Sequence, residues 1–264
     1  MSTNPTISGD LIPITGEGEN YQQNFNLIYA GDSGSGKTTC MASWPNPLFL
    51  YADKNVGALK KYGVPYVPVR DWNLLDKQVI PMLKAREWPD ATGERVPFPY
   101  RTIVLDTFSS IGDACYDYHA KLWGEAKEKS FKFWDKMLGD QMRVVRAINE
   151  LTVPKGGHPG CHVLFGCHVK DKENEQGRVV KTQLDIWGKA AINIVKSFDD
   201  ILLCDKETNK ELEEEFWCWT VNPPNTKIKF VKEIMKGPGG ENLPPKVDGS
   251  YQSLMKLWGV NEDD

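Results

Sequence analysis

The chain's clearest chemistry lies in Gly31-Asp32-Ser33-Gly34-Ser35-Gly36-Lys37-Thr38, which fills the pattern G-x-x-x-x-G-K-[ST]. Its glycines remove Cβ atoms and permit backbone angles that strain other residues. A loop of this kind turns its N–H groups inward around an anion, and a helix starting at its end aims its positive pole at the same charge. Lys37 adds a mobile point charge for the β- and γ-phosphates of a nucleotide. The Thr38 hydroxyl is a natural ligand for Mg²⁺, which takes substrate phosphates and few protein oxygens. Gly31, Asp32, Ser33, Gly34, Ser35, Gly36, Lys37, Thr38 and Thr39 are therefore the expected nucleotide-binding set.

The flanks give the loop its context. Phe25 to Ala30 reads as a short apolar strand and Thr38 to Trp44 as the start of a helix, the strand–loop–helix order that a phosphate site needs. Further strands are predicted at 46–52, ending at Asp53, at 66–69, and at 102–107, where the apolar run closes on Asp106. A helix is predicted from Trp72 to Lys84, with Pro81 kinking it or ending it early. Residues 87–100, with Pro89, Gly93, Pro97 and Pro99, read as an exposed excursion. Phe108, Ile111, Cys115, Tyr118 and Leu122 recur at helical spacing, as do Trp134, Leu138, Met142, Val145 and Ile148; both stripes read as core-facing. A Pro/Gly loop at 152–160 precedes strand 163–167, which runs into His168 and a hydrophilic stretch, 169–177. Strands near 179–184, 199–204, 214–221 and 226–231 lie close together and read as antiparallel hairpins. A final helix is expected near 250–258.

Strands separated by helices and then hairpins predict an α/β fold, a mainly parallel sheet flanked by helices with a C-terminal antiparallel extension. The division expected is a polar N-terminal arm, 1–23, a core, 24–235, and a linker with a helix, 236–264.

The 264 residues suffice for one sizeable α/β domain. A 26% charged and 40% hydrophobic composition suits a globular protein. No apolar run reaches membrane-spanning length, and Met1 to Pro5 carries no basic region followed by an apolar core, so a cytoplasmic location is expected. A net charge of −4 excludes a bulk polyanion binder, so any nucleic-acid surface must be local and salt-sensitive. The six cysteines fall mostly in apolar segments and read as buried thiols rather than a disulfide framework. Cys161, His162, Cys167 and His168 suggest zinc, but on one strand the cysteines face one side and the histidines the other, and the ends lie roughly 20 Å apart. Zinc is rejected there.

Three strand ends complete the candidate site. Asp106 closes an apolar strand as a Walker-B aspartate does and is placed to hold Mg²⁺ through water; the alternative is an ordinary strand-end aspartate. Asp53 could align and activate water at the carboxyl end of its strand, or cap a helix over 54–61. His168 could sense a γ-phosphate and signal to the loop behind it, or be an ordinary strand-end histidine. With Lys37, these form the candidate catalytic set; Thr38 and Asp106 are the candidate metal ligands.

These pieces, in this order, resemble RecA-like ATPases, and most closely the phage nucleotide-binding proteins of the core-only RecA-like type, some of which act in single-strand annealing and recombination. The resemblance is carried by "NLIYAGDSGSGKTT", "LFLYADKN", "TIVLDTFSSI", the Trp134 helix leading to "HVLFGCHVKDKE", "SFDDILLCD", "NTKIKF" and "LPPKVDGSYQSLMKLWG", and covers about residues 24–259. It implies a RecA-like P-loop NTPase fold, ATP and Mg²⁺ as ligands, single-stranded DNA as partner, a homo-oligomeric ring or filament, and a neighbouring single-strand-binding protein. Asp53 stands where the family often has a catalytic glutamate, and His168 matches the polar sensor at a strand end. Lys227 and Lys229 fall near the cations supplied across a subunit interface to a neighbour's ATP; otherwise they are alternating charges on a solvated strand.

By the same resemblance, two segments would correspond to DNA-facing loops. In 120–134, Lys121, Lys127, Lys129 and Lys132 interleave with aromatics suited to stacking on bases, although Glu125 and Glu128 dilute the charge and Trp123 and Trp134 also suit a core. In 169–181, Lys170, Lys172, Arg178 and Lys181 stand against Asp171, Glu173 and Glu175.

The leading reading is thus a DNA-stimulated, Mg²⁺-dependent ATPase working on single strands in phage recombination, annealing or replication. A small-molecule phosphotransferase is the second; its arginine-rich phosphate clamp is not evident among seven scattered arginines. A non-hydrolysing nucleotide switch is the third, permitted by Asp53 in place of a glutamate.

Overall fold

The computed structural model describes residues 24–53, 56–124, 131–187, 190–208, 214–220, 231 and 235–260. The N-terminal arm, Lys127, Lys129, Lys227, Lys229 and nearly all of the strand expected at 226–231 lie outside these.

The central sheet holds β1 (Asn26–Ala30), β2 (Pro47–Tyr51), β3 (Tyr66–Pro68), β6 (Thr102–Asp106), β7 (His162–Cys167), β10 (Asp200–Thr208), β11 (Glu214–Trp219) and β12 (Lys246–Val247). Its order is β12-β11-β10-β1-β7-β6-β2-β3. Strands from β3 to β10 pair in parallel, and β11 and β12 extend the β10 edge antiparallel. The inner strands are apolar on both faces because helices cover both. Ile28, Ile103, Leu105, Val163 and Phe165 face one layer of core with α5 (Phe108–Trp123) and α6 (Phe131–Asn149). Leu27, Tyr29, Val104 and Leu164 face the other, with Met41 of α1 (Lys37–Ala42) and Leu254, Met255 and Trp258 of the last helix, α7 (Tyr251–Trp258).

Two expectations gain detail. Pro81 does not end its helix: α3 (Trp72–Leu74) passes through a π-helical segment, Leu75–Val79, into α4 (Ile80–Ala85), where proline lies in the first turn. Proline lacks an N–H and clashes with the carbonyl four residues back, and a π turn widens the helix at the point of conflict. Residues 87–100 are mostly exposed, as expected of an excursion, and they are ordered. β4 (Glu87–Pro89) and β5 (Arg95–Pro97) form a hairpin, and Phe98 is buried beside Trp88. The hairpin is anchored by Arg86, whose buried guanidinium donates to the Leu151 and Val153 carbonyls at 2.8 and 2.9 Å. No helix among the described residues is long and apolar enough to cross a membrane.

Candidate functional site

Strand β1 lies between β7 and β10, so the chain departs from it in two directions and leaves a crevice at its carboxyl end, where ligands gather in open α/β sheets. The glycine-rich loop fills that crevice. The Gly31 N–H donates to the Cys167 carbonyl at 3.1 Å. A Cβ on Gly31 would lie 2.6 Å from the Cys204 carbonyl oxygen, so only glycine lets the loop pass the end of β10. Gly36 precedes α1 with φ 88°, a left-handed conformation that glycine adopts without steric cost.

Lys37 is 5% exposed. Its ammonium donates to the carbonyls of Gly31 at 2.9 Å and Asp32 at 2.6 Å, which holds it over the loop. Burial lowers its pKa, opposed by Cys204 and Asp106. Next to it, the Thr38 hydroxyl donates to Asp106 Oδ2 at 2.7 Å. Burial pushes the Asp106 carboxyl up to about 6, with Asp53 adding to the rise and Thr38 and Lys37 opposing it. Its other oxygen, Oδ1, is buried with no hydrogen-bond partner among the described residues. A buried carboxylate oxygen without a donor is costly, and beside a hydroxyl it suits a hard divalent cation that takes its other ligands from phosphate and water. Thr38 and Asp106 thus fit Mg²⁺.

Gly166 makes room for that carboxylate. It pairs with Asp106 across β6–β7, and a Cβ there would lie 2.5 Å from Asp106 Oδ1 and 3.0 Å from Met41 Cε. Gly166→Ala is expected to cost about 1–3 kcal/mol of stability and to raise the Mg²⁺ concentration needed for half-maximal turnover. Denaturant unfolding and a metal titration check this; an unchanged metal requirement would count against the placement.

Asp53 lies two residues beyond Tyr51, the partner of Asp106 across β2–β6. Its backbone carbonyl accepts from Arg70 Nη2 at 2.8 Å and Nε at 3.2 Å. It does not cap the next helix: α2 (Gly57–Tyr62) has Val56 at that position. Tyr51 is pushed up to about 12, by burial first and then by Asp106 and Asp53. His168 is half-buried. Its backbone N–H donates to Ser109 Oγ at 2.9 Å, while burial and then Lys37 lower its pKa. The structure therefore brings Lys37, Thr38, Asp53, Asp106 and His168 to one edge of the sheet. Gly166, Ser109 and Arg70 join them as residues that sequence reading passed over. A glycine inside the apolar run 163–167 was the available signal, since such glycines mark close approach.

A cavity of about 590 Å³ continues along α1 from the loop, lined by Thr39, Cys40, Tyr62, Trp217, Asp248 and Ser250 among others. Tyr62 donates to Thr39 Oγ1 at 3.1 Å. The Trp217 indole N–H has no partner among the described residues, and Lys246 Nζ sits 3.6 Å from the centre of that ring.

The candidate DNA residues divide. Lys121 and Lys132 are exposed at the ends of α5 and α6, beside Leu122 and Phe131, which are 64% and 79% exposed. Trp123 and Trp134 pack against the core. Lys170, Lys172, Arg178 and Lys181 belong to a hairpin of β8 (Val169–Glu173) and β9 (Val179–Leu184). Alternation sorts its charges: Lys170 and Lys172 share a face with Lys181, which is directly opposite Lys172, whereas Asp171 points to the other face, toward Thr182. Lys170 pairs with Asp185 at 2.6 Å. The hairpin base is closed by the Asp185 N–H donating to the His168 carbonyl at 2.7 Å.

A parallel sheet with this strand order, the phosphate loop at its switch point and a buried aspartate facing the loop threonine define a RecA-like P-loop NTPase, a nucleotide-binding protein. Residues 23–233 match the family described as an AAA domain (AAA_24), and the chain belongs to that family. No curated protein matches it. Among solved structures, the flagellar accessory protein FlaH from Methanocaldococcus jannaschii is similar over 86% of this chain and 87% of its own, at 9% identity and a TM-score of 0.35.

Proposed function

We propose that the protein is a Mg²⁺-dependent ATPase that uses nucleotide state to control its grip on single-stranded DNA. The observation that carries this reading is the double attachment at the end of β7: the Cys167 carbonyl accepts from the Gly31 N–H of the phosphate loop at 3.1 Å, and the next carbonyl, that of His168, accepts from the Asp185 N–H at the base of the lysine-faced hairpin at 2.7 Å. A change at the γ-phosphate has a short mechanical route to the hairpin.

In this reading the loop amides and Lys37 hold the β- and γ-phosphates, and Asp53 orients the attacking water. Bound Mg²⁺ supplies charge compensation for phosphoryl transfer. The cavity along α1 takes the nucleoside, since the loop amides nearest Thr39 face the inner phosphates. Lys172 and Lys181, like charges placed opposite each other, disfavour the hairpin by themselves and suit a phosphate backbone. Lys121 and Lys132, with Lys127 and Lys129 between them in sequence, would form a second contact. The resemblance to phage RecA-like proteins supports a homo-oligomer on the strand, Lys227 and Lys229 reaching a neighbour's ATP, a single-strand-binding protein nearby, and a role in phage recombination, annealing or replication in the host cytoplasm.

Turnover of ATP is expected to rise on adding single-stranded DNA at low salt. The double substitution Lys172→Glu, Lys181→Glu should remove that rise and reduce the slope of log affinity against log salt by about 1.4, two phosphate contacts' worth, while basal turnover stays. Turnover indifferent to DNA at low salt would reject the DNA role and leave the nucleotide site standing.

A further inference from the structure

Three thiols with no part in holding the phosphates converge from separate elements. Cys40 comes from α1, Cys204 from β10 and Cys218 from β11, and their sulfur atoms all lie within 4.8 Å of one another. Cys204 and Cys218 face each other directly across the antiparallel pair, sulfurs 3.4 Å apart. A cation with metal–sulfur bonds near 2.3 Å sets its sulfurs ~3.8 Å apart in a tetrahedral site and ~4.0 Å apart in a trigonal one, and the observed spread brackets both.

All three are buried. Buried cysteines commonly pack as small apolar groups, and two others in this chain do so with the sulfur donating to a carbonyl: Cys115 to Met137 and Cys161 to Tyr100. The trio differs because its sulfurs meet one another. Gly249 keeps the approach open, since a Cβ there would lie 2.4 Å from the Cys218 sulfur and 3.1 Å from that of Cys40. Cys40 also lines the 590 Å³ cavity, which provides an entry path and room for water at a fourth coordination position.

We propose that Cys40, Cys204 and Cys218 form a three-thiolate site for one thiophilic d¹⁰ cation, zinc or monovalent copper. Binding is a ligation without redox change: each coordinating thiol releases its proton to solvent and donates a sulfur lone pair to the metal. The bound ion would tie the helix that carries Lys37 and Thr38 to the β10–β11 edge of the sheet.

The test uses the full chain, reduced, nucleotide-free, and loaded separately with Zn²⁺ or with acetonitrile-stabilised Cu(I). After dialysis, one equivalent of zinc or copper per chain is expected, and the arm that retains metal identifies the ion. X-ray absorption should count three sulfur neighbours at the metal, and Co²⁺ in place of zinc should show thiolate charge-transfer absorption. Cys204→Ser and Cys218→Ser should each weaken retention by about 10–100-fold, judged by chelator competition, with Cys115→Ser unchanged. The proposal is overturned if neither metal is retained, or if the retained metal has fewer than three sulfur neighbours. The sulfur count is made on the unsubstituted chain, so it decides the matter even where a serine variant does not fold.

Discussion

Lys37→Ala is expected to lower turnover of Mg²⁺·ATP by about 10²–10³-fold, the effect of removing one preorganised charge from a transition-state site, while the protein stays folded. Among the described residues the side chain donates only to loop carbonyls, at 2.9 and 2.6 Å from Gly31 and Asp32. Its burial lowers its pKa, so the fold bears a cost for keeping an ammonium there. A buried charge without a carboxylate partner is a poor device for stability and a good one for meeting a phosphate. Thermal melting should therefore change little. A variant that unfolds, or one that turns over ATP as the parent does, would show that Lys37 holds the loop and not the nucleotide.

Asp106→Asn should abolish Mg²⁺-dependent turnover and yet stabilise the metal-free protein at neutral pH. Its carboxyl is pushed up to about 6 in the folded state, chiefly by burial, against about 3.9 in an unfolded chain. A group raised in this way favours folding fully below about pH 4, and that contribution is lost as pH rises through about 6. At pH 7 the ionised carboxylate therefore works against the fold by up to about 3 kcal/mol, and the neutral amide should recover about 1–3 kcal/mol of it. In chelator at pH 7 the variant should melt ~3–10 °C higher, and the advantage should vanish near pH 4. Melting below the parent at pH 7 would place Asp106 in a structural role.

The phosphate loop was legible because its chemistry is contiguous: eight neighbouring residues carry the amides, the ammonium and the hydroxyl. Asp106 was legible as a carboxylate closing an apolar strand. The hairpin was less so. Counted along the chain, Lys170, Asp171, Lys172 and Glu173 cancel, and pairing with β9 shows that Lys170, Lys172 and Lys181 share a face. Gly166 acts through a neighbouring strand, and Ser109 through the backbone of a residue 59 positions away, so neither has a local pattern. Cysteine spacing pointed attention to Cys161, His162, Cys167 and His168. There, His162 accepts from the Phe25 N–H and stacks on that ring. The thiols that do meet are far apart in sequence and converge only because β10 pairs with β11 beside the helix following β1.

The most direct test of the central claim is a calorimetric titration of Mg²⁺·ATP into the folded protein. One saturable site per chain is expected, with the heat lost in Lys37→Ala. No heat from the parent protein, or the same heat from both, would contradict a triphosphate held by this loop.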